Sequence, residues 1–119
     1  MMRNVPQTKC TAENTLIMRQ YFKLVEHEHP DEEIAKMLRA ATQRTLSNRQ
    51  LQILKDYAIN GMLFEDIARK YEINVGTVSV IMRRARSNLL LLIRINARPI
   101  LQLIHDANDD DIETLMQVQ

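Results

Sequence analysis

Helix start and stop signals alternate closely in the middle of the chain. Ser47 and Gln50 have the spacing of a capping box, in which each side chain bonds to the backbone N–H group of the other residue at the start of a helix. Gly61 suits the left-handed turn that ends many helices, and Asn74 is of a residue type that begins them. The pattern predicts three closely spaced helices, at about 47–59, 64–71 and 75–88.

Residues that favour tight turns are scarce, since the chain of 119 residues has only two Gly and three Pro. Average usage would be about 12% for the two types together, so we expect an all-α fold. Before the central helices, Thr11 is a candidate cap for a helix of about 12–28, and Asp31 can cap another after Pro30. The predicted apolar stripe of this second helix consists of Ile34, Met37, Leu38 and Ala41.

The step from the short helix at 64–71 to the next one has helix-turn-helix spacing. Two helices that cross steeply need a small residue where they touch, here Ala68. They also need an apolar residue in the turn that fills the gap between them, here Ile73. At about 100° per residue, the predicted core face of the following helix consists of Val78, Met82, Ala85 and Leu89.

The opposite face of this helix is polar and basic. Arginine can pair with guanine, threonine and serine are adaptable donors, and valine can pack on a thymine methyl group. Other arginines would neutralise phosphates, which gives an affinity that weakens with salt. We therefore expect groove contacts from Thr77, Ser79, Val80 and Arg83, and phosphate contacts from Arg84, Arg86 and Arg49.

Five elements follow one another along this part of the chain. The capped helix after Ser47 is followed by Gly61, an acidic pair before Ile67-Ala68, Gly76-Thr77-Val78 and Arg84-Ala85-Arg86. Together they resemble region 4 of the bacterial sigma-70 superfamily and the phage regulators that share it. The resemblance covers less than half of the chain. It implies a helix-turn-helix regulator of transcription, of the type found in phages and mobile elements, with duplex DNA and RNA polymerase as partners.

The chain also departs from the family pattern. Leu63 stands where the family usually has a Ser or Thr cap, and Ser79 and Ile81 stand where it tends to place basic residues. With Val80, Ile81 gives the helix an apolar component. An alternative interpretation is therefore a protein-interaction module that docks on RNA polymerase or a sigma partner through the same surface. A third interpretation takes the arginines as an ordinary solvated face.

Charge and apolar content suggest four segments. Residues 47–98 carry nine basic and four acidic side chains, whereas residues 99–119 carry five acids and no Lys or Arg. We expect a flexible arm at 1–10, a helical pair at 11–45, the DNA-binding module at 46–95 and a helical, acidic C-terminal segment at 96–119.

Leu89–Ile95 is apolar around most of the helix circumference, so more than one side of it needs cover. Either the N-terminal helices fold back onto it or a second protomer packs there. We expect a homodimer, because twofold dimers are the commonest users of this motif.

The sequence predicts neither an enzyme nor a cofactor site. It has no Gly-rich phosphate loop and no Ser-centred elbow. His27 and His29, two apart on a predicted helix, point in different directions and cannot converge on one metal ion. The lone Cys10, the lack of a signal peptide and the lack of a membrane-spanning apolar stretch lead us to expect a cytoplasmic protein.

Overall fold

The computed structural model describes residues 11–26 and 32–106, and these residues form helices with no strand among them. The expected all-α fold, with a helix-turn-helix core flanked by additional helices, is confirmed. The helices are α1 (Ala12–Glu26), α2 (Glu32–Thr45), α3 (Asn48–Ala58), α4 (Phe64–Tyr71), α5 (Val75–Ile95) and α6 (Ala97–Asp106).

The predicted helix starts depend on side-chain caps. Ser47 Oγ accepts a hydrogen bond from the Gln50 backbone N–H at 3.1 Å, and Gln50 Oε1 accepts one from the Ser47 N–H at 3.1 Å. This confirms the capping box of α3. At the start of α1, Thr11 Oγ1 accepts from the Asn14 N–H at 3.1 Å. The proposed cap at Asp31 lies outside the described residues.

The buried face of α2 differs from the predicted stripe. Met37 is 43% exposed, whereas Ala35, Leu38 and Thr42 are buried. A polar residue can occupy this face because its hydroxyl is satisfied there: Thr42 Oγ1 donates to the Leu38 carbonyl at 2.8 Å and lies 2.8 Å from the Tyr21 hydroxyl. The prediction for Met37 is therefore wrong, since the buried face of α2 consists of Ala35, Leu38 and Thr42 and leaves Met37 outside it.

α5 lies at the centre of the fold and contacts α1, α2, α3, α4 and α6. Its predicted core face is confirmed, because all four side chains are fully buried. The N-terminal helices α1 and α2 pack against α5, as does α6. In the apolar run at the C-terminal end of α5, Leu89, Leu90 and Leu92 are buried, while Leu91 and Ile95 remain 52% and 71% exposed.

The break between α5 and α6 falls at Asn96. Its backbone N–H and its Nδ2 group both donate to the Leu92 carbonyl, at 3.0 and 2.9 Å. Pro99 follows three residues later. In a continuous helix the Pro99 ring would clash with the Ile95 carbonyl. Because a new helix begins at Ala97, Pro99 lies in its first turn, where no N–H group is needed.

Candidate nucleic-acid interface

The turn between α4 and α5 fixes the angle between the two helices. α4 ends at Glu72, which adopts the left-handed conformation with φ 57°. The Ile73 N–H then donates to the Ala68 carbonyl at 3.0 Å. Ala68 is 7% exposed and Ile73 packs against the core, as the spacing predicts for a helix-turn-helix.

Asn74 caps the start of α5, as predicted. Asn74 Oδ1 accepts hydrogen bonds from the Thr77 backbone N–H at 2.7 Å and from the Thr77 hydroxyl at 3.0 Å. The cap therefore uses the hydroxyl hydrogen of Thr77. Thr77 is exposed, and its methyl group and its hydroxyl oxygen, which can accept a hydrogen bond, remain for contacts with a ligand. The hydroxyl is therefore not available as the hydrogen-bond donor that the sequence predicted.

The outer face of α5 is exposed at the positions where the sequence predicts contacts with bases and phosphates. No ion pair of the described segments involves Arg83 or Arg84. Two unpaired guanidinium groups on one helix face can bind anionic oxygens or the acceptor edge of guanine. The exposed side chains predicted for contact are Thr77, Ser79, Val80, Arg83 and Arg84.

Arg86 does not belong to this face, and the placement expected for it is wrong. Its residue is only 7% exposed. Met82 and Leu90, each one helical turn away on α5, are also buried, so Arg86 is turned into the packing around that helix. The sequence predicted an exposed flank at this position, and the burial of Arg86 shows that the flank is enclosed.

Arg49 lies apart from α5, on the first turn of α3. It is exposed, and its guanidinium carbon is 5.7 Å from the centre of the Tyr71 ring at the end of α4. A cation over an aromatic face is attracted to it by about 0.5–1 kcal/mol at exposed sites. This contact holds Arg49 beside the helix-turn-helix with its charge accessible.

A buried carboxylate that the sequence analysis missed ties α3 to α4. Asp56 is 5% exposed. The Lys70 ammonium donates to Asp56 Oδ2 at 2.9 Å and to Oδ1 at 3.1 Å, and the Tyr71 hydroxyl donates to Oδ2 at 2.7 Å. Asn60 Nδ2 completes the set at 3.1 Å from Oδ1. No periodicity pairs residues fourteen apart, so the sequence carried no signal for this cluster.

The ionisation of this cluster follows from its contacts. Burial alone would raise the pKa of the Asp56 carboxyl, but the hydrogen bonds from Tyr71, Lys70 and Asn60 outweigh burial and lower that pKa below its ordinary value. The hydrogen bond to Asp56 raises the pKa of the Lys70 ammonium group. Burial, followed by the bond to Asp56, raises the pKa of the Tyr71 hydroxyl. The charged pair is thus the favoured form at neutral pH.

The start of α4 has no side-chain cap. Leu63 occupies the N-cap position with extended backbone, and its side chain makes no capping hydrogen bond. It is 64% exposed. The sequence prediction that Leu63 leaves this helix uncapped is confirmed.

Residues 11–26 and 32–106 hold no group of three or more His, Cys, Asp or Glu side chains placed to bind a metal ion. No helix within those residues is both long enough and apolar enough to span a membrane. The His27 and His29 pair lies outside them.

Comparison with known proteins identifies the type of the central segment. The family described as sigma-70, region 4, matches residues 44–89, which run from the end of α2 to the middle of α5. No curated protein and no solved structure matches the chain. Sigma region 4 domains bind DNA and RNA polymerase. Residues 44–89 thus form a helix-turn-helix domain of the sigma-70 region 4 type, a DNA-binding kind consistent with transcription regulation, within a chain that adds helices on both sides.

Proposed function

We propose that this protein regulates transcription by binding duplex DNA at specific sequences, with the first three turns of α5 in the major groove. The observation that carries the proposal is that Arg83 and Arg84 lie on the exposed face of α5 without an ion pair to any described residue. The Asn74 cap and the tight turn before it hold this helix in place. This helix begins within the segment that matches sigma-70 region 4. Such a regulator would act in the cytoplasm, where the DNA is.

Different side chains would contribute different parts of the binding energy. Thr77, Ser79, Val80 and Arg83 are proposed to contact base edges and so to select the sequence. Arg84 and Arg49 are proposed to contact phosphates and so to set affinity and register. Arg86 is left out of this assignment because it is buried.

A second copy of the chain is proposed to bind beside the first on DNA. Leu91 and Ile95 are one turn apart on α5 and both remain exposed, which leaves an apolar strip that a partner could cover. A dimer would read two half-sites about one helical turn of DNA apart. Light scattering of the protein alone and bound to its duplex tests this, and a single copy on a single half-site would contradict it.

The alternative function is docking on RNA polymerase. Val80 and Leu63 are apolar and exposed at the helix-turn-helix, and apolar side chains on a surface suit a protein partner. Sigma region 4 domains bind RNA polymerase as well as DNA, which makes RNA polymerase the candidate partner for such docking.

Titration of labelled DNA fragments from the genetic neighbourhood of the gene, at two salt concentrations and with excess random competitor DNA, separates the two functions. Saturable binding that survives the competitor supports the proposed regulator. Arg83→Gln and Arg84→Gln should weaken that binding. Lys36→Gln, which removes an exposed positive charge from α2, is the matched control and should not. Absence of binding at both salts, together with capture of purified RNA polymerase, would favour docking.

A further inference from the structure

Val80 lies at the centre of the exposed face of α5. At about 100° per residue, Gly76 and Arg83 fall on one side of it, and Thr77 and Arg84 fall on the other. Val80 is 37% exposed, and the four residues around it are polar or, in the case of Gly76, lack a side chain. An apolar side chain in the middle of a basic surface gains from binding only if the ligand offers an apolar group at the same place.

Gly76 makes Val80 more prominent. It lies one helical turn before Val80 on the same face and is exposed. A residue without a side chain lets the helix backbone approach a ligand closely. The first turn of α5 also carries no acidic side chain that would repel a phosphate. The N-terminal half of the helix can therefore sit deep in a groove, with Val80 near the base edges.

Two of the common types of side-chain contact with bases are excluded on this face. Residues 75–84 include no Asn or Gln, the usual partners of adenine, and no Asp or Glu, the usual acceptors from cytosine. Arginine remains for guanine. Val80 and the methyl group of Thr77, whose hydroxyl hydrogen is bonded to Asn74, remain for the C5 methyl group of thymine.

We propose that Val80 reads a thymine methyl group in the major groove, and that Arg83 reads a guanine close to it. Arg83 follows Val80 by three residues, which is about 4.5 Å along the helix axis. Successive bases on a strand are about 3.4 Å apart, so the thymine and the guanine lie within about two base pairs of each other. This inference rests on the proposed DNA-binding function and names the kind of sequence that the same surface selects.

The test begins with selection of bound duplexes from a random library by the full-length protein. The recovered sites should share a thymine with a guanine within two positions. That thymine is then replaced by uracil, which pairs identically and lacks only the methyl group. Loss of one contacted methyl group should weaken binding about three- to fivefold. Val80→Ala should bind the thymine duplex about three- to fivefold more weakly, and should no longer distinguish thymine from uracil.

Leu101→Ala is the matched control, since Leu101 is an exposed apolar residue on α6, outside the proposed DNA-binding and dimer surfaces. This variant should keep the full preference for thymine. Wild-type protein that binds thymine and uracil duplexes equally would overturn the inference while leaving specific DNA binding intact. A preference that persists in Val80→Ala would also overturn it. Recovery of no shared sequence would instead contradict the proposed function, and the inference with it.

Discussion

Asp56 and Lys70 form an ion pair between α3 and α4, with Lys70 Nζ 2.9 Å from Asp56 Oδ2. The Asp56 side chain is 7% exposed and the Lys70 side chain is 50% exposed, so the pair is buried at its acidic end and solvated at its basic end. The Tyr71 hydroxyl, from the last residue of α4, shares the same carboxylate oxygen. This cluster fixes α3 against α4, the first helix of the helix-turn-helix that would carry the DNA contacts.

Stability should depend on pH through this pair. The folded state lowers the pKa of Asp56 from an ordinary 3.8, so its contribution is complete above that value and is lost as the pH falls through the folded pKa. The folded state raises the pKa of Lys70 from an ordinary 10.5, so its contribution is complete below that value and is lost as the pH rises through the folded pKa. Urea unfolding at a series of pH values measures both limbs.

Asp56→Asn should lower the free energy of unfolding at pH 7 by about 1–2 kcal/mol, because it removes the charge that accepts the hydrogen bonds of Lys70, Tyr71 and Asn60. It should also flatten the acid limb. Lys70→Met should cost less than Asp56→Asn, because the lysine is half-exposed and its ion pair is screened. An Asp56→Asn protein with wild-type stability at pH 7 would show that this cluster does not hold α3 and α4 together.

The uncapped start of α4 offers a gain in stability. Leu63→Ser supplies a hydroxyl at the N-cap, where the extended backbone already suits a side-chain bond to the first turn. We expect the free energy of unfolding to rise by about 1 kcal/mol. Leu63→Ala, which shortens the side chain without adding a hydroxyl, should give no such gain. Equal effects of the two substitutions would mean that the cap is not the cause.

Glu72 and Gly61 both have a left-handed backbone conformation, and substitutions at these two positions should change the free energy of unfolding in opposite directions. Glu72 has φ 57° with a side chain, and Gly61 has φ 69° without one. Glu72→Gly should raise the free energy of unfolding by about 1 kcal/mol, and Gly61→Ala should lower it by a similar amount. A Cβ at Gly61 meets no atom within 4 Å, so its cost comes from the backbone alone. Glu72→Ala is the control, and any gain from it would point to charge rather than backbone conformation.

Substitution of Arg84 should affect DNA binding, whereas substitution of Arg86 should affect stability. Arg84→Gln should weaken binding to every duplex and reduce the slope of log K against log salt by about 1, because one phosphate contact is lost. Arg86→Met should leave that slope unchanged and lower the free energy of unfolding by about 2 kcal/mol, because the residue is buried. Titrations at four salt concentrations and urea unfolding measure the two effects. An Arg86→Met protein of wild-type stability with a reduced slope would return Arg86 to the binding surface.

Sequence alone located α3 and α4 and the start of α5, because each of these signals acts within a few residues; the end of α5 lies at Ile95, beyond the predicted 88. Ser47 and Gln50 satisfy each other across three residues, and Asn74 bonds to Thr77 across the same spacing. Gly61 needs only its own backbone conformation. The core face of α5 followed equally well, since helical periodicity places its residues whatever packs against them. The solvent-facing positions of Thr77, Ser79, Val80, Arg83 and Arg84 are the complement of that face.

Only the tertiary structure decided which flanks of those helices are enclosed. Arg86 is buried and Met37 is exposed, and neither follows from the helical periodicity of its own helix. Asp56 meets Lys70 and Tyr71 because α4 packs across α3, fourteen and fifteen residues further along the chain. Capping and periodicity are local and can be read from neighbouring residues, whereas these contacts depend on free energies of packing between segments that no local pattern specifies.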